Sequence, residues 1–236
     1  MKALSERKMI ENCSQCTARH ADAFCGLSPS ALSYFAGAGH RYLHPSRAVL
    51  FVEGQAPRGA FMVCSGAVKL FTTSNEGKTL ILRMAGPGDI IGLSALLTNS
   101  EYELTAETTV PSQLNFIRRD IFLPLIQRNP EFGLNAARCL SREYEYACQE
   151  IHSLAMARSS AGKLARLLLS WTSTEKQGTE TRLHSTPTHE EMAQMIGASR
   201  ETVTRLMGQL KKKQWVRQEG PTLVISNRSA LEAMIA

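Results

Sequence analysis

The stretch THEEMAQMIGASRETVTRLMGQL, residues 188–210, decides how this chain folds at its C-terminal end. Thr188 and Glu191 make a T-x-x-E capping box, in which each side chain satisfies a backbone amide that the opening turn of a helix leaves unpaired. Met192, Ala193 and Ile196 give that helix an apolar face. Gly197 ends it, because glycine takes the left-handed conformation that a tight turn needs. Ser199 can cap a second helix whose buried side is Val203, Leu206, Met207 and Leu210. Two short helices joined across a glycine turn are a helix-turn-helix.

Arg200, Glu201, Thr204 and Arg205 lie opposite that buried side, brought together by the 200/204 and 201/205 spacings. When a helix of this kind enters a DNA major groove, its N-terminal residues, Ser199 onward, meet the base edges and phosphates. Arginine can donate two bonds to guanine O6 and N7, and glutamate can accept from the cytosine amine. An isolated R-E-x-x-x-R is more simply a solvated, salt-bridged face. The surroundings favour DNA: Lys211, Lys212 and Lys213 follow, suited to phosphate, and WVRQEGPTLVISN reads as two short strands around Glu219, Gly220 and Pro221. Helix-turn-helix, basic run and hairpin together describe a winged helix, with Trp215 in the hairpin core. From Ser199 onward seven basic residues stand against three acidic ones, so +4 of the net +6 charge falls here. A concentrated basic patch attracts polyanions.

Upstream, Ser159 to Trp171 is expected as a helix with Leu164, Leu167, Leu168 and Trp171 on its apolar side. Before it, Ala137, Leu140, Tyr144, Ala147, Ile151 and Leu154 recur at steps of three and four. The polar residues between them leave a narrow seam, as on a helix that pairs with its copy in a second subunit. The alternative is an amphipathic helix lying on its own β domain. From about Tyr42 to Arg118 the chain runs in short β-branched or apolar segments punctuated by glycine, among them AVLFVEG, GAFMVCSG and AVKLFTT. No helical pattern separates them, which suggests an all-β sandwich or barrel rather than βαβ units.

The 236 residues can bury a sizeable core and suit two domains. No apolar run approaches the roughly 20 residues needed to span a bilayer, and MKALSERKMIENC lacks the apolar core of a secretory signal. A cytoplasmic protein with no membrane partner is expected. In that reducing compartment Cys13, Cys16, Cys25, Cys64, Cys139 and Cys148 read as thiols or metal ligands rather than disulfides. No G-x-S-x-G, P-loop or H-E-x-x-H occurs, and His184 and His189 lack catalytic partners nearby in sequence, so an enzyme is not expected. A sensor acting only through protein partners stays open, although Arg200, Glu201, Arg205 and the lysine run weigh against it.

Over nearly its whole length the chain resembles the CRP/FNR family of bacterial regulators, named for the cyclic-AMP receptor protein and the fumarate and nitrate reduction regulator. The segment GASRETVTRL, residues 197–206, is the most specific part of the likeness. The resemblance implies an α+β fold: an N-terminal β-roll (a cyclic-nucleotide-binding-like double-stranded β-helix), a long dimerisation helix and a C-terminal winged helix-turn-helix. The corresponding segments are 1–30 (cysteine-containing), 31–128 (β-roll sensor), 129–157 (dimerisation helix) and 158–236 (DNA-binding). It further implies a homodimer on a palindromic DNA operator, working with RNA polymerase. Arg200, Glu201 and Arg205 match the base-reading positions of the cyclic-AMP receptor branch, whose half-sites resemble TGTGA. Thr204 takes the place where oxygen-sensing relatives commonly carry serine.

Family members that bind cyclic AMP (cAMP) place a glutamate after a β-roll glycine and an arginine about eleven residues on. Here Leu93 follows Gly92, and no arginine occurs between Gly92 and Ala106. The cyclic phosphate would be buried without a charge partner, so cAMP is not expected to bind in the usual way. Cys13, Cys16 and Cys25 form C-x2-C-x8-C, similar to the arrangement with which oxygen-sensing relatives hold a 4Fe-4S cluster. Such clusters usually take four thiolates. The family's fourth cysteine falls in the last β-roll strand, where this chain has Asn115. Cys64 is one substitute. With His20, the N-terminal cysteines instead make a Cys3His set for zinc. Ordinary thiols with no metal are the third possibility.

Overall fold

The computed structural model describes residues 13–16, 19, 23–156, 159–171, 181–183, 186–220 and 222–235. The chain divides into two units, Met1–Ser74 with Leu82–Tyr146, and Asn75–Ile81 with Ala147–Ala236.

In the first unit a 3-10 turn at Cys13–Gln15 precedes helix α1 (Pro29–Ala38). The strands that follow are β1 (His40–His44), β2 (Val49–Phe51), β3 (Gly59–Ser65), β4 (Val68–Thr73), β5 (Thr79–Ala85) and β6 (Ile90–Ile91). After helix α2 (Leu93–Thr98) come β7 (Thr105–Thr108) and β8 (Ser112–Arg118). They build two four-stranded sheets, in the orders β1-β8-β3-β6 and β2-β7-β4-β5. Both orders join strands remote in sequence, which makes a roll rather than a meander of hairpins. Alternate residues of β3 and β8 serve different cores, as the two-residue period of a strand requires. Val63 and Leu114 face Phe51, Val68, Ile91, Tyr102 and Ala106 inside the roll. Ala60, Met62 and Ile117 face a second core with Phe24, Leu32, Phe35, Phe122 and Phe132 from the flanking segments. Phe24 lies 5.5 Å from Phe35 and 5.7 Å from Phe122, and burial of each such ring contributes about 1.5–3 kcal/mol.

Helix α3 (Arg119–Arg128) leads into the 27-residue helix α4 (Pro130–Met156), which opens on a proline whose missing N–H costs nothing in the first turn. The first turns of α4 hold the N-terminal segment. Glu131 accepts from the Ser28 backbone at 2.5 Å and hydroxyl at 2.6 Å, while buried Asn135 donates to the carbonyls of Phe24 and Gly26. Further along, Glu143 pairs with Arg83 at 2.5 Å, and Arg83 also reaches Asp89 at 3.0 Å. Burial pushes the Glu143 carboxyl up from its ordinary range, against the pull of Arg83. Of the coiled-coil-spaced positions, Ala137, Tyr144, Ala147 and Ile151 are exposed, Tyr144 at 72% and Ile151 at 67%. Leu140 is half-buried and packs on the first unit's core, and the Leu154 side chain falls outside the described residues.

The second unit contains α5 (Ser160–Ser170), β9 (Thr181–Leu183), α6 (His189–Ile196), α7 (Arg200–Lys212), β10 (Val216–Glu219), β11 (Thr222–Ile225) and α8 (Arg228–Glu232). Its sheet has the order β10-β11-β9. Leu164 and Leu168 of α5, Met192 and Ile196 of α6, Val203, Met207 and Leu210 of α7, and Leu223 and Val224 of β11 are all buried. Among the described residues no helix is long and apolar enough to cross a membrane.

Candidate nucleic-acid interface and thiol cluster

The two helices of residues 188–210 start and stop for local reasons. Thr188 Oγ1 accepts from the Glu191 amide at 3.2 Å, and the Glu191 carboxylate accepts from the Thr188 amide at 2.7 Å, closing the capping box. Gly197 ends α6 at φ 64°, a left-handed conformation that a side chain would strain. Ser199 caps α7 by accepting from the Thr202 amide at 3.2 Å. With Val203, Leu206, Met207 and Leu210 buried, Arg200, Glu201, Thr204 and Arg205 are all exposed, as are Ser199, Lys211, Lys212 and Lys213. Among the described residues neither Arg200 nor Arg205 forms an ion pair, whereas Arg217 is held by Glu219 and Arg228 by Glu232. The guanidinium groups of α7 are therefore available to an outside acceptor. The Glu201 carboxyl is held below its usual range by backbone and Ser199 hydrogen bonding, with Arg200 adding to the effect. It stands as an acceptor beside two donors.

Three contacts on this face were not visible in the sequence. The His189 ring nitrogen Nδ1 lies 3.0 Å from Thr204 Oγ1, fixing the hydroxyl on the exposed side of α7. Burial lowers the His189 pKa, and the nearby Lys211 and Arg200 lower it further. Lys213 Nζ sits 4.5 Å over the Trp215 ring, so its charge is partly spent on the hairpin. The half-buried Trp215 ties α7 to the wing, its amide donating to the Leu210 carbonyl at 3.0 Å and its carbonyl accepting from Ser226 at 2.9 Å.

At the other end of the chain, Cys13, Cys25 and Cys64 all pack against the helix-covered core of the first unit. Burial pushes the Cys25 thiol up to about 11, with Cys16 and Cys13 adding to it, and burial pushes Cys64 up to about 12, with Cys13, Cys16 and Cys25 contributing. Four cysteines are thus within electrostatic reach of one another. Arg41 Nη2 donates to Cys13 Sγ at 3.1 Å. On β8, directly opposite Arg41, Asn115 is 1% exposed and, among the described residues, has no hydrogen-bond partner for either its side-chain oxygen or its nitrogen. An unmade buried hydrogen bond costs about 1–3 kcal/mol, and a group so placed calls for an explanation such as strain, a bound water or ion, or a redox role. An iron–sulfur cluster would take thiolates in this number, and a buried N–H near it would have a sulfur to donate to. Among the described residues no three His, Cys, Asp or Glu side chains are placed to hold a single ion. A cluster asks for wider spacing, because each thiolate binds a different iron. His20 lies outside the described residues. Of the other cysteines, Cys139 is buried and Cys148 exposed.

In the roll, Leu93 is buried at the start of α2, and Ser94 Oγ donates to Glu103 at 2.7 Å. A carboxylate thus stands eleven residues beyond Gly92.

Residues 44–129 match the cyclic nucleotide-binding domain family, and residues 162–234 match the Crp-like helix-turn-helix domain family. The chain is 31% identical over 213 residues to the cyclic AMP receptor protein of Thermus thermophilus, covering 89% of this chain and 94% of the relative. It is 25% identical to a solved CRP/FNR-family transcriptional regulator from the same organism, with a TM-score of 0.65 over 83% of this chain and 98% of the other. The fold is also similar to that of FixK2 from Bradyrhizobium japonicum, at 18% identity and a TM-score of 0.72 over 84% and 98% of the two chains. With both family models in chain order and a relative 31% identical over 89% of the chain, the chain belongs to the CRP/FNR family and is a DNA-binding transcription regulator, not an enzyme.

Proposed function

We propose that the chain acts as a homodimer that reads a palindromic operator with TGTGA-like half-sites, works with RNA polymerase, and senses redox state through an iron–sulfur cluster rather than cAMP. The observation that carries the DNA part is the outward face of α7, where, among the described residues, Arg200 and Arg205 make no ion pair around Glu201. Bidentate arginine to guanine and carboxylate to cytosine are the pairings that a G- and C-containing half-site requires. Dimerisation is supported by Tyr144 and Ile151, large apolar side chains left exposed at coiled-coil spacing on one helix. The test is a mobility-shift titration of a TGTGA palindrome against the same duplex with one half-site scrambled. Tight binding to the intact palindrome alone supports the reading, and equal binding to both removes it.

The sensing part rests on Cys13, Cys16 and Cys25, whose C-x2-C-x8-C spacing supplies three thiolates from one short segment. When bound, the cluster would supply a change of oxidation state and a sensitivity to oxygen. Against cAMP stand Leu93 in the glutamate's place and a carboxylate, Glu103, where a cation would meet the phosphate. Protein purified without oxygen should be brown, with absorption that fades in air. Colourless anaerobic protein without iron would remove the cluster. Calorimetric binding of cAMP in the micromolar range would remove the exclusion of that nucleotide.

A further inference from the structure

Register places one row of side chains across three strands. On β8, Asn115 is directly opposite Arg41 of β1 and Met62 of β3, and directly opposed residues share a face of the sheet. That face is the one covered by the N-terminal segment, since Met62 and Ile117 belong to its core. Arg41 carries the row to Cys13 through its 3.1 Å hydrogen bond. Cys64 lies two residues beyond Met62, on the same face by strand period, at the place where the β3–β8 register slips between Val63 and Ser65. Such a bulge re-aims the side chain it carries. Behind Asn115 the backbone closes in: a Cβ on Gly39 would strike its side-chain amide. The amide is pinned in place, buried and unpaired, within the row that ends at Cys13.

We propose that Cys64 and Asn115 complete the site opened by Cys13, Cys16 and Cys25: Cys64 supplies the fourth thiolate from β3, and the Asn115 side-chain N–H donates to a sulfur of the bound cluster. The inference rests on the cluster reading and deepens it. The fourth ligand comes from the neighbouring strand, and the β8 position opposite Met62, two residues before Cys64, becomes a hydrogen-bond donor. Hydrogen bonds to cluster sulfurs are among the determinants of reduction potential, because they favour the more negative, reduced state. Asn115 is thus a positioning residue that tunes the group without binding iron.

The test uses the full chain purified without oxygen, with iron, acid-labile sulfide and midpoint potential measured on each variant. Wild type and Cys148→Ala are expected to carry about four irons per chain. Cys64→Ala should lose at least half of the iron and sulfide, whereas full loading of Cys64→Ala overturns Cys64 as the ligand. Asn115→Leu, of similar volume, should load but show a more negative midpoint potential and faster bleaching in air. Asn115→Asp, which keeps the shape and lacks the N–H donors, guards against misfolding of the first variant. Wild-type potential in both variants overturns the role of Asn115. Absence of iron from wild type after anaerobic reconstitution overturns the cluster reading and this inference together, so the two failures are distinguishable.

Discussion

Arg205 and Lys212 are both exposed cations on α7, yet they should fail in different ways. Arg205→Ala is expected to cost about 1–3 kcal/mol of specific binding and to relax one base position. Lys212→Ala should weaken operator and random DNA alike and lower the salt slope by about one; fluorescence anisotropy across a salt series reads both. Equal loss on operator and random DNA for Arg205→Ala would take that residue out of the base readers. At the far end of the chain, His44 has an unpaired buried Nε2, and burial lowers its pKa from the ordinary 6.5. The unfolded chain therefore takes up the proton first as pH falls. The stability contributed by neutral His44 is complete above about 6.5 and is lost as pH falls through the depressed folded value. Urea midpoints at pH 7.5 and 5.5 should drop further for wild type than for His44→Leu. The α7 face was legible in the sequence because a 3.6-residue period separates Val203 and Met207 from Arg200 and Arg205 without any tertiary knowledge. The His189–Thr204 contact was not, since it joins residues on two helices, and the Lys213–Trp215 stack was not, since it depends on how the turn after α7 folds.

Helix ends are local, and here the sequence was enough. Thr188, Glu191, Gly197 and Ser199 mark the boundaries of α6 and α7 through hydrogen bonds within a few residues. Thr188→Ala should destabilise the second unit by about 1 kcal/mol, read as a lowered thermal midpoint with little change in base preference. The strand order β1-β8-β3-β6 was hidden, because it pairs segments remote in sequence, His40 with Phe116 among them, and no periodicity along the chain encodes a partner. Helix α2 was missed too, being six residues long and set among glycine-punctuated strands. On α4 the three-four spacing was legible. What the sequence left open, a seam for a second subunit or a face lying on the β domain, divides along the helix: Leu140 packs on its own core while Tyr144 and Ile151 remain exposed. If the proposed dimer forms through this stripe, Ile151→Glu should leave the chain monomeric in sedimentation velocity and weaken operator binding by far more than nonspecific binding. A variant that stays dimeric would move the interface elsewhere.

For the whole molecule, the two units were legible as regions of different pattern, short glycine-punctuated strands first and capped helices last. The proposed sensing site was only partly foreshadowed by the sequence. The C-x2-C-x8-C segment stood out, but the register that sets Asn115 opposite Arg41, itself hydrogen-bonded to Cys13, spans three strands and spacing alone cannot supply it. A group that binds the folded state and not the unfolded one stabilises the fold by mass action, so anaerobic loading should raise the thermal midpoint of wild type but not of Cys13→Ala. The central claim is that the exposed side of α7 reads bases. It is tested most directly by anisotropy competition at fixed salt between a TGTGA palindrome and a random duplex of equal length. The account predicts a preference of about 10³-fold or more for the palindrome, lost when Arg200, Glu201 and Arg205 are all replaced by alanine. Equal affinity for both duplexes, or a preference that survives the triple replacement, would contradict it.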